Sequence, residues 1–173
     1  MRLVWWREAV DAIFSGRAPR RHPAAQAMEQ AIRRRNLPRE PLEAMIEARI
    51  RALETSRFGV LGAVEWADAV GGSAAFLAAR VLDPDCPADA VQPAGRAWGL
   101  ALLRRSGVAA GSEFDRALFQ GLHLASEAAR RLSVAAFPAA LHVTLVRCDL
   151  ASRTPGELEK RLRLSWAAAR GRL

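Results

Sequence analysis

The chain has 173 residues, 51% of them hydrophobic and 25% charged, so it can build one hydrophobic core but not two, and we expect a single domain over residues 1–173. The net charge of +8 would suit a phosphate-rich partner such as nucleic acid, anionic lipid or a diphosphate. The arginines are scattered without a recognition motif, which argues against nucleic acid. Two distant cysteines without a CxxC motif suggest neither a disulfide framework nor a zinc site.

The first residues do not match the pattern expected of a signal peptide. Trp5 and Trp6, with charged neighbours, stand where a signal peptide would need an apolar run. The longest uncharged segment, 132–146, is interrupted by Pro138. We therefore expect a cytoplasmic protein that is either soluble or peripheral on the inner face of the cytoplasmic membrane.

Apolar residues recur at helical spacing through the whole chain, and no segment alternates as a strand would. In chain order, the pattern predicts a first helix at 3–14, a second from Pro23 to about residue 36, and a third at 42–53. Pro38 and Pro41 are predicted to break the chain before the third helix.

The segment 68–82, which reads DAVGGSAAFLAARVL, is predicted to be the buried helix around which the others are arranged. Val70 and Leu77 lie on one face, whereas Gly71 and Gly72 begin a face with almost no side chains. Such a face either lets neighbouring backbones approach closely or lines a cavity, and close packing is the simpler explanation.

The second half of the chain continues the helical pattern. It predicts a helix at 88–105, a helix at 112–132 that is capped by Ser112, and a further apolar helical segment at 135–150. Together with the last helix these segments give an all-α fold with seven or eight helices.

The last helix has the best-marked start in the sequence. Thr154 is predicted to cap it, with Pro155 as its first residue and Glu157 completing a capping box. Its predicted inward stripe consists of Leu158, Leu162, Ser165, Trp166 and Ala169.

The sequence offers no catalytic or metal-binding motif. His22, His123 and His142 stand alone, without partners at ExxH or HxxxH spacing, so each is expected to be a surface or capping residue. There is no nucleotide-binding glycine loop and no nucleophile elbow, and the aspartates at DxxxD spacing, Asp85 and Asp89, flank a proline in a predicted turn, where they most simply cap the following helix. We therefore predict neither catalytic residues nor metal ligands.

Several stretches are similar to the squalene/phytoene synthase family. The segments LVWWREAVDAIFSG and RHPAAQAMEQAIRRRNLPREPLEAMIEARIRALE look like the helices that follow the family's first aspartate-rich motif. AVGGSAAFLAARVLD resembles the small-residue helix beside its central cavity, and AGRAWGLALLRR resembles the next helix. AAFPAALHVTLVRCDL with LRLSWAAARGRL is similar to the C-terminus of a divergent branch that includes mitochondrial complex I assembly factors and their bacterial relatives.

This resemblance implies a single helical bundle of the trans-isoprenyl diphosphate synthase type. The first aspartate-rich motif would lie before Met1, so the bundle is expected to be incomplete and truncated at its N-terminus. The resemblance also implies a set of residues that would face a cavity or a diphosphate: Arg51, Glu54, Gly71, Gly72, Trp98 and Arg104.

Catalytic members of the family use two aspartate-rich motifs to hold magnesium ions, which neutralise the substrate diphosphates. Where the second motif would follow Trp98, residues 101–106 contain no aspartate, and Ala52 stands where relatives often have an acidic residue. We therefore expect a non-catalytic assembly or scaffold protein, similar to complex I assembly factors, without a cofactor. The alternative is a prenyl transferase of squalene, phytoene or hopanoid-type biosynthesis that uses prenyl diphosphates and magnesium.

Trp5 and Trp6 form the candidate association surface. Neighbouring residues on a helix point about 100° apart, so one ring can enter the core while the other cannot easily follow. An exposed tryptophan would suit a protein partner, a second copy of the chain or a membrane surface, and Arg2 and Arg7 would suit anionic headgroups. Alternatively, both rings lie under the C-terminal helix near Trp166. An isoprenoid is a further expected ligand, and nucleic acid is not.

Overall fold

The computed structural model describes residues 2–18, 21–55, 57–151 and 155–173. Within those ranges the regular structure is entirely helical, and the all-α prediction is confirmed. Eight helices follow in chain order: α1 (Arg2–Phe14), α2 (Pro23–Arg35), α3 (Arg39–Leu53), α4 (Val60–Leu82), α5 (Ala88–Arg105), α6 (Ser112–Ala128), α7 (Val146–Leu150) and α8 (Glu157–Arg170). Two 3-10 segments, Ala129–Arg131 and Phe137–Leu145, lie between α6 and α7.

The main core is organised around α5, which packs against α4, α6 and the Phe137–Leu145 segment. Its buried residues are mostly alanine and glycine, with Val91 and Leu100 as fully buried larger side chains. Phe114 and Leu118 of α6 fill the space on the far side of α5. Small residues on the central helix and large ones on its neighbour allow a short distance between helix axes without leaving a void.

A second, smaller cluster joins the N-terminal helices to α4. Ile13 of α1, Ile32 of α2 and Leu37 after α2 are buried together, and Leu77 and Val81 of α4 pack against them. The two faces of α4 therefore have different neighbours. Its larger residues contact this cluster, while its small residues contact α5.

The central helix is longer than the sequence predicted. It begins at Val60 after Gly59, and it contains one π-helical turn at Asp68–Gly72. By length and apolar composition, α4 is the one helix within the described ranges that could span a membrane. Its close contact with α5 accounts for the same composition, because a helix that touches a neighbouring backbone needs small apolar residues.

Several predicted helix ends were wrong. Pro41 does not break the chain but lies in the first turn of α3, where the missing backbone N–H would have no partner in any case. Ser112 is the first residue of α6 rather than its cap; the cap is Gly111, whose φ of 116° few residues with a side chain adopt. α6 also ends earlier than predicted, at Ala128.

The start of α8 differs from the predicted capping box. Gly156 precedes Glu157 as the cap and makes no side-chain hydrogen bond, and Pro155 is buried outside the helix. Thr154, the predicted cap, lies outside the described residues. The segment Phe137–Leu145 forms a 3-10 helix, whereas the pattern had predicted a regular helix there.

The predicted inward stripe of α8 was wrong. Leu158, Leu162 and Trp166 are 72%, 62% and 61% exposed, while Ala167 is buried. α8 packs against the Phe137–Leu145 segment through Ala167, with Leu164 half-buried beside it. A face that carries alanine can approach a neighbouring backbone more closely than a face that carries leucine and tryptophan, so the helix presents its large residues to the solvent.

Candidate functional site

The small residues of α4 lie in direct contact with the backbone of α5. A Cβ atom placed on Gly71 would lie 2.9 Å from the carbonyl carbon of Gly95 and 3.2 Å from the backbone nitrogen of Gly99. A Cβ on Gly99 would in turn lie 2.9 Å from the Cα of Ala67. Real Cβ atoms are almost never this close to a backbone atom, so the space between the two helices is filled by the helices themselves.

Carboxylates around α4 and α5 are bonded to arginines of neighbouring segments. Asp68 accepts a hydrogen bond of 2.5 Å from Nε of Arg96, and Asp89 accepts one of 2.6 Å from Nη1 of Arg131. Both pairs are partly exposed, so each adds little to the free energy of unfolding. Their main effect is to neutralise carboxylates that would otherwise be available to a cation.

The six residues that the resemblance assigned to a cavity or a diphosphate are spread along three helices: Arg51 on α3 and Glu54 directly after it, Gly71 and Gly72 on α4, and Trp98 and Arg104 on α5. Gly71 lies in the contact with α5, and Gly72 lies beside Gln92 with room for a methyl group. Arg104 forms an ion pair with Asp115 of α6.

The structure places the other three in separate surroundings. Arg51 and Glu54 are exposed at the end of α3. Trp98 is half-buried, and its ring lies edge-to-face with the ring of His142 at a centroid distance of 5.9 Å. Burial lowers the pKa of His142, while hydrogen bonds to the backbone of Ala94 and Ala139 oppose that shift.

A groove of about 280 Å³ lies beside α3 and includes one of these six residues, Arg51. Arg57, Glu65 and Trp66 also line it. Trp66 is 8% exposed, and its indole nitrogen has no hydrogen-bond partner within the described ranges. The groove therefore combines two cations, one carboxylate and, beneath its surface, an unsatisfied N–H donor.

Trp5 and Trp6 pack on each other and on His22. The two indole rings are edge-to-face at 4.7 Å, and the ring of His22 lies 5.0 Å from that of Trp5. The Nδ1 atom of His22 accepts a hydrogen bond of 3.2 Å from the backbone N–H of Ala24, so this histidine caps α2 as expected. Trp166 belongs to the exposed face of α8.

Trp6 also borders an apolar cleft between α1, α2 and α3. The cleft has a volume of about 230 Å³, and among the side chains that the structure describes Arg49 is its one charged lining residue. The remaining lining is Leu3, Trp6, Val10, Met28, Leu42, Met45 and Ile46. A cleft of this composition can accept an apolar side chain or a short apolar helix from a partner.

Within the described ranges, His, Cys, Asp and Glu side chains form no group of three or more that could hold a metal ion. Both cysteines are buried, and no disulfide joins them. Burial raises the pKa of the Cys86 thiol, and the nearby carboxylate of Asp83 raises it further.

Sequence reasoning missed two surfaces. The cleft beside Trp6 could have been suspected from the Met28, Leu42 and Met45 side chains, which belong to the apolar stripes of two adjacent helices. The exposed stripe of α8 was identified as apolar but assigned to the wrong side.

The fold and its surfaces define an all-helical bundle held together by a glycine-mediated contact between two central helices. The family model of squalene/phytoene synthase matches residues 1–105, which is more than half of the 173-residue chain. The chain belongs to the squalene/phytoene synthase family. Helices α6 to α8 lie beyond the matched residues. Neither a search of curated proteins nor a search of solved structures found a match.

Proposed function

We propose that the chain is a non-catalytic member of the squalene/phytoene synthase family that acts as an assembly or scaffold protein, in the manner of the complex I assembly factors it resembles. The closed contact between α4 and α5 is the observation that carries this proposal. The resemblance implies a central cavity beside the small-residue helix, whereas here Gly71 of that helix touches the backbone of Gly95. A prenyl chain would have to separate the two helices before it could bind between them.

The ion pairs around the same helices support the proposal. Departure of a diphosphate needs cations to neutralise the charge that develops on it, and carboxylates hold those cations. Asp68 and Asp115, which flank the α4–α5–α6 layer, are each bonded to an arginine. A magnesium ion would have to displace an arginine at either position.

The cleft beside Trp6 is the surface through which we propose association. Its described lining is apolar apart from Arg49, and it is formed by three helices that could receive a fourth. A protein partner would insert an apolar helix, and a second copy of the chain would insert its own. The compartment that we propose is the cytoplasm.

The experiment combines an activity measurement with an association measurement. Purified protein with magnesium and farnesyl or geranylgeranyl diphosphate should form no condensation product. Light scattering should show a homodimer, or a complex when a partner is supplied, and Trp6→Ser should weaken either one. Phe119→Ser, at an exposed position on α6, is the matched control. A product that disappears when a chelator is added would contradict the proposal.

A prenyl transferase is the second candidate, and the groove beside α3 favours it. Arg51 and Arg57 could receive an anionic group there. In that case magnesium would be required, and Arg51→Gln should reduce product formation without lowering the melting temperature, because Arg51 is exposed. Diphosphate binding that is unaffected by Arg51→Gln would remove the support that this groove provides.

A further inference from the structure

Helix α8 has its large apolar residues on the outside. Leu158, Leu162 and Trp166 follow one another at intervals of four residues, and all three are more than half exposed. The opposite side, around Ala167, contacts the body of the protein. A surface helix normally buries its large apolar stripe, so this arrangement leaves a row of two leucines and one tryptophan that the fold itself does not use.

Arginines border this stripe on both sides. With 100° between successive residues, Arg161 lies roughly 60° to one side of Leu158, and Glu159 and Arg170 lie roughly 20° and 40° beyond Trp166 on the other side. Residues 157–172 contain five cations and two carboxylates. The carboxylates of Glu157 and Glu159 are bonded to Lys160 and Arg163, at 2.6 Å and 2.9 Å. No carboxylate within the described ranges pairs with Arg161, Arg170 or Arg172.

A basic groove runs along one edge of the stripe. It has a volume of about 360 Å³ and is lined by Arg147, Arg163, Arg170 and Arg172 together with Trp166. The guanidinium carbon of Arg170 lies 4.3 Å from the centroid of the Trp166 ring, which holds a cation against the exposed indole. Four arginines around one groove present many donors to phosphate oxygens.

This combination matches the surface of a bilayer that contains anionic lipid. An amphipathic helix that lies in the plane of a membrane has leucine and tryptophan on one side and basic residues beside them. The leucines and the tryptophan would enter the boundary between headgroups and acyl chains, and the arginines would contact lipid phosphates. A second copy of the chain fits less well, because the stripes of two α8 helices would bring their unpaired arginines close together.

We infer that the outer face of α8 docks on an anionic lipid bilayer, with Leu158, Leu162 and Trp166 in the interface and Arg161, Arg170 and Arg172 on the headgroups. This inference adds a membrane surface to the association role proposed above, and it rests on that role. The surface is separate from the cleft beside Trp6, so the chain can contact a membrane and a partner at the same time.

The test is co-sedimentation of the full chain with vesicles of phosphatidylcholine alone or with phosphatidylglycerol added. We expect binding to the mixed vesicles that weakens with salt, because exposed charges are screened within about 8 Å at physiological ionic strength. Leu162→Ser and Trp166→Ser should each weaken binding about tenfold, since each removes a large apolar side chain from the interface. Arg161→Gln and Arg170→Gln should each weaken it about fivefold.

The controls are Phe119→Ser for the apolar substitutions and Arg34→Gln for the basic ones, since both residues are exposed on other helices. Equal binding to both vesicle types, or binding that the α8 substitutions leave unchanged, would overturn the inference. A dimer that forms without vesicles and dissociates in Trp166→Ser would replace the membrane with a second copy.

The same experiments separate this inference from the proposed function. If Trp6→Ser abolishes partner binding but the unsubstituted chain binds no vesicles, only the docking of α8 is refuted and the proposed function stands. If the chain binds vesicles and also forms a magnesium-dependent prenyl product, only the non-catalytic role is refuted and the docking of α8 stands.

Discussion

Replacement of Gly71 by alanine tests whether the contact between α4 and α5 holds the bundle together. The new Cβ would lie 2.9 Å from the carbonyl carbon of Gly95 and closer still to its oxygen, whereas ordinary contacts begin near 3.4 Å. The helices would have to separate by at least 0.5 Å, because the opposing atoms belong to the backbone and cannot rotate away.

The expected cost follows from the opposing effects of strain and helix propensity. An extra carbon in a well-packed core costs about 1–3 kcal/mol, and a contact with backbone belongs at the upper end of that range. Alanine favours the helix by about 0.5–1 kcal/mol over glycine, which offsets part of the strain. We expect a net loss of about 2 kcal/mol in the free energy of unfolding, which for a domain of this size lowers the melting temperature by about 4–8 °C.

The neighbouring glycine provides the control. A Cβ on Gly72 would have no atom outside its own helix closer than 3.7 Å, where the Cβ and carbonyl oxygen of Gln92 lie, so Gly72→Ala keeps the propensity gain without the strain. Thermal unfolding followed by circular dichroism should therefore show opposite shifts for the two variants, with Gly72→Ala raising the melting temperature. A melting temperature that Gly71→Ala leaves unchanged would refute the closed α4–α5 contact.

Further predictions concern other helices. Because burial lowers the pKa of His142, its contribution to stability is fully present above pH 6.5 and is lost as the pH falls through the folded-state pKa. Urea denaturation should show this loss, and it should be smaller in His142→Asn. The raised pKa and burial of Cys86 should make its reaction with a thiol reagent at least about tenfold slower in the native protein than in urea. Arg104→Gln should lower the melting temperature through loss of the pair with Asp115, by about 1–4 °C. An unchanged melting temperature would mean that the ion pair adds nothing to stability, and Arg104 would then be available for a ligand.

Helix periodicity was sufficient to find the elements of this fold. The bounds of α5 agree with the prediction at both ends, because Pro87 precedes the helix and the apolar period stops at Arg105. The small-residue face of α4 was also visible in the sequence, because glycines such as Gly71 and Gly72 are unfavourable inside a helix and therefore indicate a special role there. The helical spacing of apolar residues did not reveal that α4 begins at Val60. Residues 58–62 are apolar, but they show no helical spacing of their own.

The candidate site was less accessible from the sequence. The resemblance grouped six residues by their place in a family pattern, whereas their surroundings depend on the distances between helices. Gly71 could line a cavity or touch Gly95 with no change in sequence, and the choice depends on how closely α5 approaches. The ion pair between Arg104 and Asp115 likewise joins two helices whose relative position no local pattern specifies.

Helix α8 shows why an apolar stripe does not by itself tell which side of a helix is buried. The stripe of Leu158, Leu162 and Trp166 has the larger apolar area, but Ala167 on the opposite side allows the closer approach to the Phe137–Leu145 segment. Burying both sides would require a further layer of protein or lipid. An anionic lipid surface supplies that layer, because it offers apolar depth to the stripe and phosphates to Arg161, Arg170 and Arg172, with which no described carboxylate pairs.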